Sequence, residues 1–277
     1  MTSTPSKKNL PPPSTISSLK SKFLKGFDAL FFWKASSPLP MHPLAKAFLD
    51  KHGCFAPHAL LGWVTDSDND KQISFQFLEK IADWPLLYRI EFLAKVIALR
   101  SLQKGDHIPL EDGFTVDHVF WLAPDFPAFG LQGQNTSILL FRGTDFRWKG
   151  RASIWADLDL RGPGFGLYQK NRSELRAWLK GRQAWATGFS LGGALAAYAA
   201  LYEPDLLLLP SLAFNAPGVY RASKKKTPAA QIVHYVNKGD PVSKVGTLIG
   251  EVHKIAFPRP LRPIEAHVTP MLCLYNQ

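Results

Sequence analysis

The chain has 277 residues, 46% of them hydrophobic and 20% charged, a balance that excludes global disorder and suffices for one α/β domain or two small ones. Its two cysteines, Cys54 and Cys273, form neither a C-x-x-C pair nor a multi-bridge scaffold, so a reducing compartment is the expectation. The net charge of +11 is uneven: Lys7, Lys8, Lys20, Lys22, Lys25 and Lys34 against Asp28 put +5 in the first 34 residues and leave +6 for the other 243. No zinc finger, helix-turn-helix or RNA-binding aromatic signature accompanies that charge, and nucleic acid is not expected as a partner.

Residues 1–40 are rich in Ser, Pro and Lys and read as a basic extension, with the globular body at 41–277 and a helical lead-in to about residue 110. Pro11, Pro12 and Pro13 and the lysines after them interrupt any apolar core of a cleavable signal. The expected location is the cytoplasm or a membrane periphery, with export by another route left open. The segment 19–33 gathers Leu19, Phe23, Phe27, Leu30 and Phe31 on one side of a helical wheel, sets Ser21, Lys25 and Asp28 opposite, and ends at Trp33. It suits an anionic membrane surface, the alternatives being a helix packed on the body or an export signal.

Helical spacing runs through 72–103, with Pro85 in the first turn of a second helix carrying Leu86, Ile90, Leu93 and Ile97. Strands are expected at 114–122 and 137–141, residues 173–180 are expected to sit in a helix, and a short buried strand at 184–187 and a small-residue helix at 191–202 follow. Further strands are expected at 206–214, 232–236 and 252–257. Alternating strands and helices imply an α/β fold with a mostly parallel sheet covered on both faces. The uncharged stretch 183–202 is nominally long enough to span a bilayer, but three glycines, Thr187 and Ser190 dilute it. A buried strand feeding a buried helix accounts for it better.

Gly188-Phe189-Ser190-Leu191-Gly192 matches G-x-S-x-G, the tight strand-to-helix turn that lifts a serine hydroxyl above an α/β sheet. An apolar strand precedes it and small residues follow, the context the motif requires. Side chains at Gly188 or Gly192 would collide with neighbouring backbone in so sharp a turn. A serine needs a histidine base and a carboxylate to orient it, and in this architecture they follow in the order Ser, acid, His. Among Glu203, Asp205, Asp240, Glu251 and Glu265, Asp240 lies just past the carboxyl end of the 232–236 strand, the edge where active sites of open α/β sheets collect. Glu203 and Asp205 end the helix on the wrong side of the sheet. His253 and His267 then remain for the base. His267 is preferred because the turn-rich 258–263 segment could return it over the active edge, whereas His253 shares a strand face with Ile255 and Phe257. His234, alternating with Ile232 and Val236, reads as structural. The oxyanion calls for the backbone N–H of Leu191 and a donor from the loop after an earlier strand, for which Thr144 in Phe141-Arg142-Gly143-Thr144 is placed.

From Phe114 to the C-terminus the chain resembles the class 3 lipases, fungal-lipase-like α/β hydrolases. The resemblance is carried by Phe-Arg-Gly-Thr at 141–144, Gly164-Phe165 ahead of a helix, Gly-Phe-Ser-Leu-Gly-Gly at 188–193 and the 237–242 segment around Asp240. It implies hydrolysis of acylglycerol or phospholipid esters, with Ser190, Asp240 and a late histidine as triad and Thr144 at the oxyanion hole. The sequence shows no metal-ligand cluster, serine hydrolysis needs none, and no cofactor is expected. Two features depart from the family: Phe189 stands where histidine is usual, and only 27 residues separate Asp240 from His267. Two rival functions share this sequence, an inert hydrolase-fold protein that binds lipid or a protein, and an acyltransferase using the same site.

Overall fold

A computed structural model describes residues 68–144, 158–159, 162–207, 210–219, 231–258 and 260–274. The basic extension and its 19–33 segment lie outside the described residues. The first described elements of the lead-in are helix α1 (Asp68–Lys80) and helix α2 (Leu86–Lys95), followed by a 3₁₀ turn at Ile97–Leu99. Pro85 is the cap residue just before α2 and not part of its first turn. The strands follow as β1 (His107–Ile108), β2 (Phe114–Ala123), β3 (Phe126–Gln132) and β4 (Ser137–Phe141), then the short pair β5 (Leu158–Asp159) and β6 (Gly162–Pro163). Among the described residues there follow helix α3 (Phe165–Leu179), β7 (Ala184–Phe189), helix α4 (Leu191–Tyr202), β8 (Ser211–Phe214), β9 (Ile232–Asn237), β10 (Glu251–Ile255) and helix α5 (Pro263–Val268), with 3₁₀ turns at Val242–Lys244 and Met271–Leu274.

Among the described residues, eight strands form one sheet in the order β1-β2-β3-β4-β7-β8-β9-β10. The pairings from β4 through β7, β8 and β9 to β10 are parallel, while those joining β1, β2, β3 and β4 are antiparallel. This is an α/β-hydrolase fold, with the parallel character confined to the second half of the sheet. Within the lead-in, β1 is already a strand, so the helices end before residue 107.

Adjacent residues of a strand face opposite ways, and the core therefore has two layers. Ile138, Leu140, Trp185 and Phe189 pack with Phe77, Phe92, Leu93 and Ile97 of the lead-in. Leu139, Phe141, Ala184 and Ala186 pack on the other face with Leu175 and Leu179 of α3 and Leu195 and Tyr198 of α4. Every residue of β7 is buried, and α4 is buried from Leu191 to Ala200. An apolar helix without a polar face needs such enclosure, which resolves the uncharged 183–202 stretch into a strand and a helix of 12 residues. No helix among the described residues is long and apolar enough to cross a membrane.

Two local features differ from the sequence expectation. β3 is hidden by Pro127 and Gly130, both poor strand residues. Pro127 pairs with Trp121 beside an irregularity in the β2 register. Gly130 leaves the space taken by the Trp178 indole, whose nearest atom lies 2.5 Å from where a Cβ would stand. The strand expected over 206–214 begins only at Ser211; Pro210 has no N–H for the ladder, and Leu207 makes just an isolated bridge to Ala184.

Candidate active site

At the end of β7 the chain turns into α4 through Ser190, which holds φ 55° and ψ −124°. That backbone is costly for a non-glycine residue and persists only where its surroundings impose it. Phe214 O accepts from Ser190 N at 3.0 Å, and Ser190 O accepts the N–H groups of Gly193 and Ala194. A Cβ on Gly188 would stand 2.4 Å from the Gly192 backbone, and one on Gly192 would stand 2.4 Å from Phe141 O and 2.6 Å from Arg142 O. These are contacts with backbone, which cannot swing aside, so both positions require glycine. Gly164, at φ 77° before α3, sits against Leu191 and Leu195 and lets α3 start beside the elbow.

The His267 ring joins Ser190 to Asp240. Its Nε2 is 3.0 Å from Ser190 Oγ and its Nδ1 is 3.0 Å from Asp240 Oδ1. All three residues are at most 5% exposed. Asp240 also accepts the Val242 N–H at 2.9 Å on Oδ1, and on Oδ2 the Asn215 amide at 3.1 Å and the Ser243 hydroxyl. Burial alone would raise its pKa, but the charge and hydrogen bond of His267, with the Ser243 and Val242 donors, outweigh it and hold the carboxyl below its usual value. An ionised carboxylate only accepts. The proton between the two groups therefore sits on Nδ1, leaving the Nε2 lone pair toward the serine hydroxyl.

His267 reaches this position on α5, which Pro263 opens, and not on an open loop. His253 lies elsewhere, on edge strand β10, where it pairs with Glu251 at 2.8 Å and stacks on Tyr235 at 5.2 Å. His234 is fully buried in β9, and burial pushes its pKa down to about 4. The Glu203 carboxylate is enclosed at the far end of α4, paired with Arg172 and Arg176 and accepting from Tyr168.

β4 and β7 pair in parallel with Phe141 opposite Gly188, which carries residues 142–144 forward beside the elbow. A Cβ on Gly143 would lie 2.9 Å from Phe189 O, and Thr144 and Leu191 are buried there at 5% and 8% exposure. Asn215, which sequence reasoning did not single out, follows β8 with a positive φ of 49° and donates its amide to Asp240. Phe189 places its ring 4.8 Å from the His267 ring. Among the described residues, no group of three or more His, Cys, Asp and Glu side chains is arranged to hold a metal.

No family model matches the chain, and no curated protein matches it either. Solved structures similar to it include the Rhizomucor miehei lipase propeptide complex, at 21% identity and a TM-score of 0.44 over 60% of this chain and 63% of that one. A structure described as a fungal lipase has 20% identity and a TM-score of 0.47 over 72% and 85%. A triacylglycerol lipase from Penicillium expansum has 19% identity and a TM-score of 0.38 over 52% and 70%. The chain thus spans less than two thirds of the Rhizomucor miehei lipase chain in that complex.

Proposed function

We propose that this protein is a serine hydrolase that cleaves carboxylic esters of lipids through an acyl-enzyme. The observation that carries the reading is the continuous Ser190–His267–Asp240 chain on a strained strand-to-helix turn. In the proposed reaction His267 Nε2 takes the Ser190 proton as Oγ attacks the acyl carbonyl, and Asp240 stabilises the resulting imidazolium. The Leu191 N–H and Thr144 hold the oxyanion of the tetrahedral intermediate. Its collapse expels the alkoxide, which leaves as the alcohol with the proton from His267. Water, activated by the same ring, then attacks the acyl-serine and releases the carboxylic acid.

The lipid part of the reading rests on the class 3 lipase motifs and on the basic, aromatic 19–33 segment, proposed to contact anionic lipid. A fluorophosphonate probe for active serines should label the wild type and leave Ser190→Ala unlabelled and without esterase turnover. A panel of acylglycerols and phospholipids, assayed with and without a competing alcohol, distinguishes hydrolysis from acyl transfer by product. An unlabelled wild type that turns over no ester would leave the inert, binding reading.

A further inference from the structure

Lys95 ends α2, in the part of the chain before the lipase resemblance begins, and its side chain is only 1% exposed. An ammonium has three N–H donors. Here two of them meet Asn215 Oδ1 and the Thr269 carbonyl, each at 3.1 Å, and the ammonium forms an ion pair with Glu91 Oε1 at 2.8 Å. Asn215 and Thr269 lie 120 and 174 residues away in sequence, on the segments flanking the Asp240–His267 pair. With its Oδ1 engaged by Lys95, Asn215 turns its Nδ2 toward Asp240 Oδ2 and the Ala266 carbonyl, both at 3.1 Å. Glu91 accepts the Met271 N–H, so the Glu91–Lys95 pair grips the chain just beyond His267 at two points. Lys95 Nζ also lies 5.3 Å from the centre of the Phe189 ring, which neighbours the His267 ring.

Stability alone does not call for this arrangement. Two charges taken out of water cost about what their attraction returns, and apolar residues of equal volume commonly serve a core as well or better. What they cannot supply is a directed set of donors. Resting on the triad reading above, we propose that Lys95 is a positioning residue for the Asp240–His267 pair, acting through the Asn215 amide and the Thr269 carbonyl. Lys95 fixes which face of the amide meets the carboxylate and how far α5 advances toward Ser190.

The test uses the full chain and a short soluble ester. Lys95→Met would strand the Glu91 charge, so Glu91→Gln/Lys95→Met is the main variant; it removes both charges and keeps an acceptor for Met271 N–H. Its kcat should fall about tenfold or more with KM within about twofold, because orientation of the base matters in the transition state and not in binding. Asn215→Leu should give a similar loss, and adding it to the double variant should cost no more than about twofold further, since both act on one unit. An unchanged kcat, or losses that multiply, would overturn the proposal. Lys95→Arg supplies a second reading should the double variant not fold: its planar fork cannot reproduce the two directed hydrogen bonds together with the ion pair. A lower kcat at constant KM is expected, and wild-type kcat would overturn it. If the wild type hydrolyses nothing, the proposed function falls by itself and proton NMR decides. The downfield line of the His267 Nδ1 proton should move or broaden in Glu91→Gln/Lys95→Met, and an unmoved line would overturn the positioning role.

Discussion

In β7, within the parallel half of the sheet, all residues from Ala184 to Phe189 are buried, whereas along β2 in the antiparallel half burial alternates and Trp121 stands 64% exposed. The two halves also end differently. Parallel strands all point the same way, so the turns leaving β4, β7, β8 and β9 gather at one edge, bringing Thr144, Ser190, Asn215 and Asp240 there. Antiparallel neighbours send successive ends to opposite edges, and β1, β2 and β3 contribute no residue to the Ser190–His267–Asp240 chain. The antiparallel half widens the core; the parallel half supplies an edge on which residues distant in sequence converge.

That contrast can be broken first at the histidines, where the largest effect is expected. His267→Ala should reduce esterase turnover to near background, while His253→Ala, on the edge strand and 46% exposed, should stay near wild type. On a Ser190→Ala background neither His267→Ala nor Asp240→Asn should cost much more if, as proposed, the three groups act as one unit. The reverse ranking would move the base to β10. Next is Thr144 at the end of β4. Thr144→Val should lose up to about 10²- to 10³-fold in kcat if its hydroxyl holds the oxyanion. A wild-type kcat would confine Thr144 to packing or backbone donation.

A smaller effect tests burial in the parallel half without touching the proposed chemistry. The folded state keeps His234 neutral, with a pKa of about 4 against 6.5 ordinarily. The unfolded chain takes up a proton at that residue below about pH 6.5, so its contribution to stability is complete above that value. As pH falls to about 4 it is lost, at a cost of up to about 3 kcal/mol. Asp240, also shifted downward, gives up its own contribution only at more acidic pH. His234→Leu should therefore flatten the pH dependence of denaturant midpoints between about pH 4 and 6.5 and leave it unchanged in stronger acid. An unaltered slope would show that the residue titrates normally in the folded protein. The smallest effect is expected at Trp121 in β2. Trp121→Ser should leave kcat on a soluble ester unchanged and shift stability by no more than about 0.5 kcal/mol, as exposed positions do. A large loss of activity there would extend the site into the antiparallel half.

Elements with one dominant local signal were legible without the fold. The strand at 137–141 and the helix at 191–202 agree with β4 and α4 residue for residue, because an unbroken apolar run and a stretch of small helix formers each leave few alternatives. β3 was not legible, since Pro127 and Gly130 argue locally against a strand; only the space occupied by Trp178 and the irregular β2 register explain why they are tolerated. Pro210 was the visible signal that the 206–214 run could not be one continuous strand, though its apolar residues masked it.

The same division runs through the candidate site. The glycines of the elbow could be read from the chain because a Cβ there would meet backbone within a few residues of its own position or on the adjoining strand. That His267 and not His253 stands beside Ser190 depends on α5 returning across the strand ends, 77 residues beyond the serine. Lys95 and Asn215 carried still less sign: one closes an amphipathic helix, the other opens a turn, and both roles are ordinary until the sheet brings them to 3.1 Å. Periodicity and steric limits act between near neighbours and are written in the sequence by itself. Hydrogen bonds spanning 120 residues, and the directions in which buried donors point, exist only once packing has removed water and set the two segments side by side.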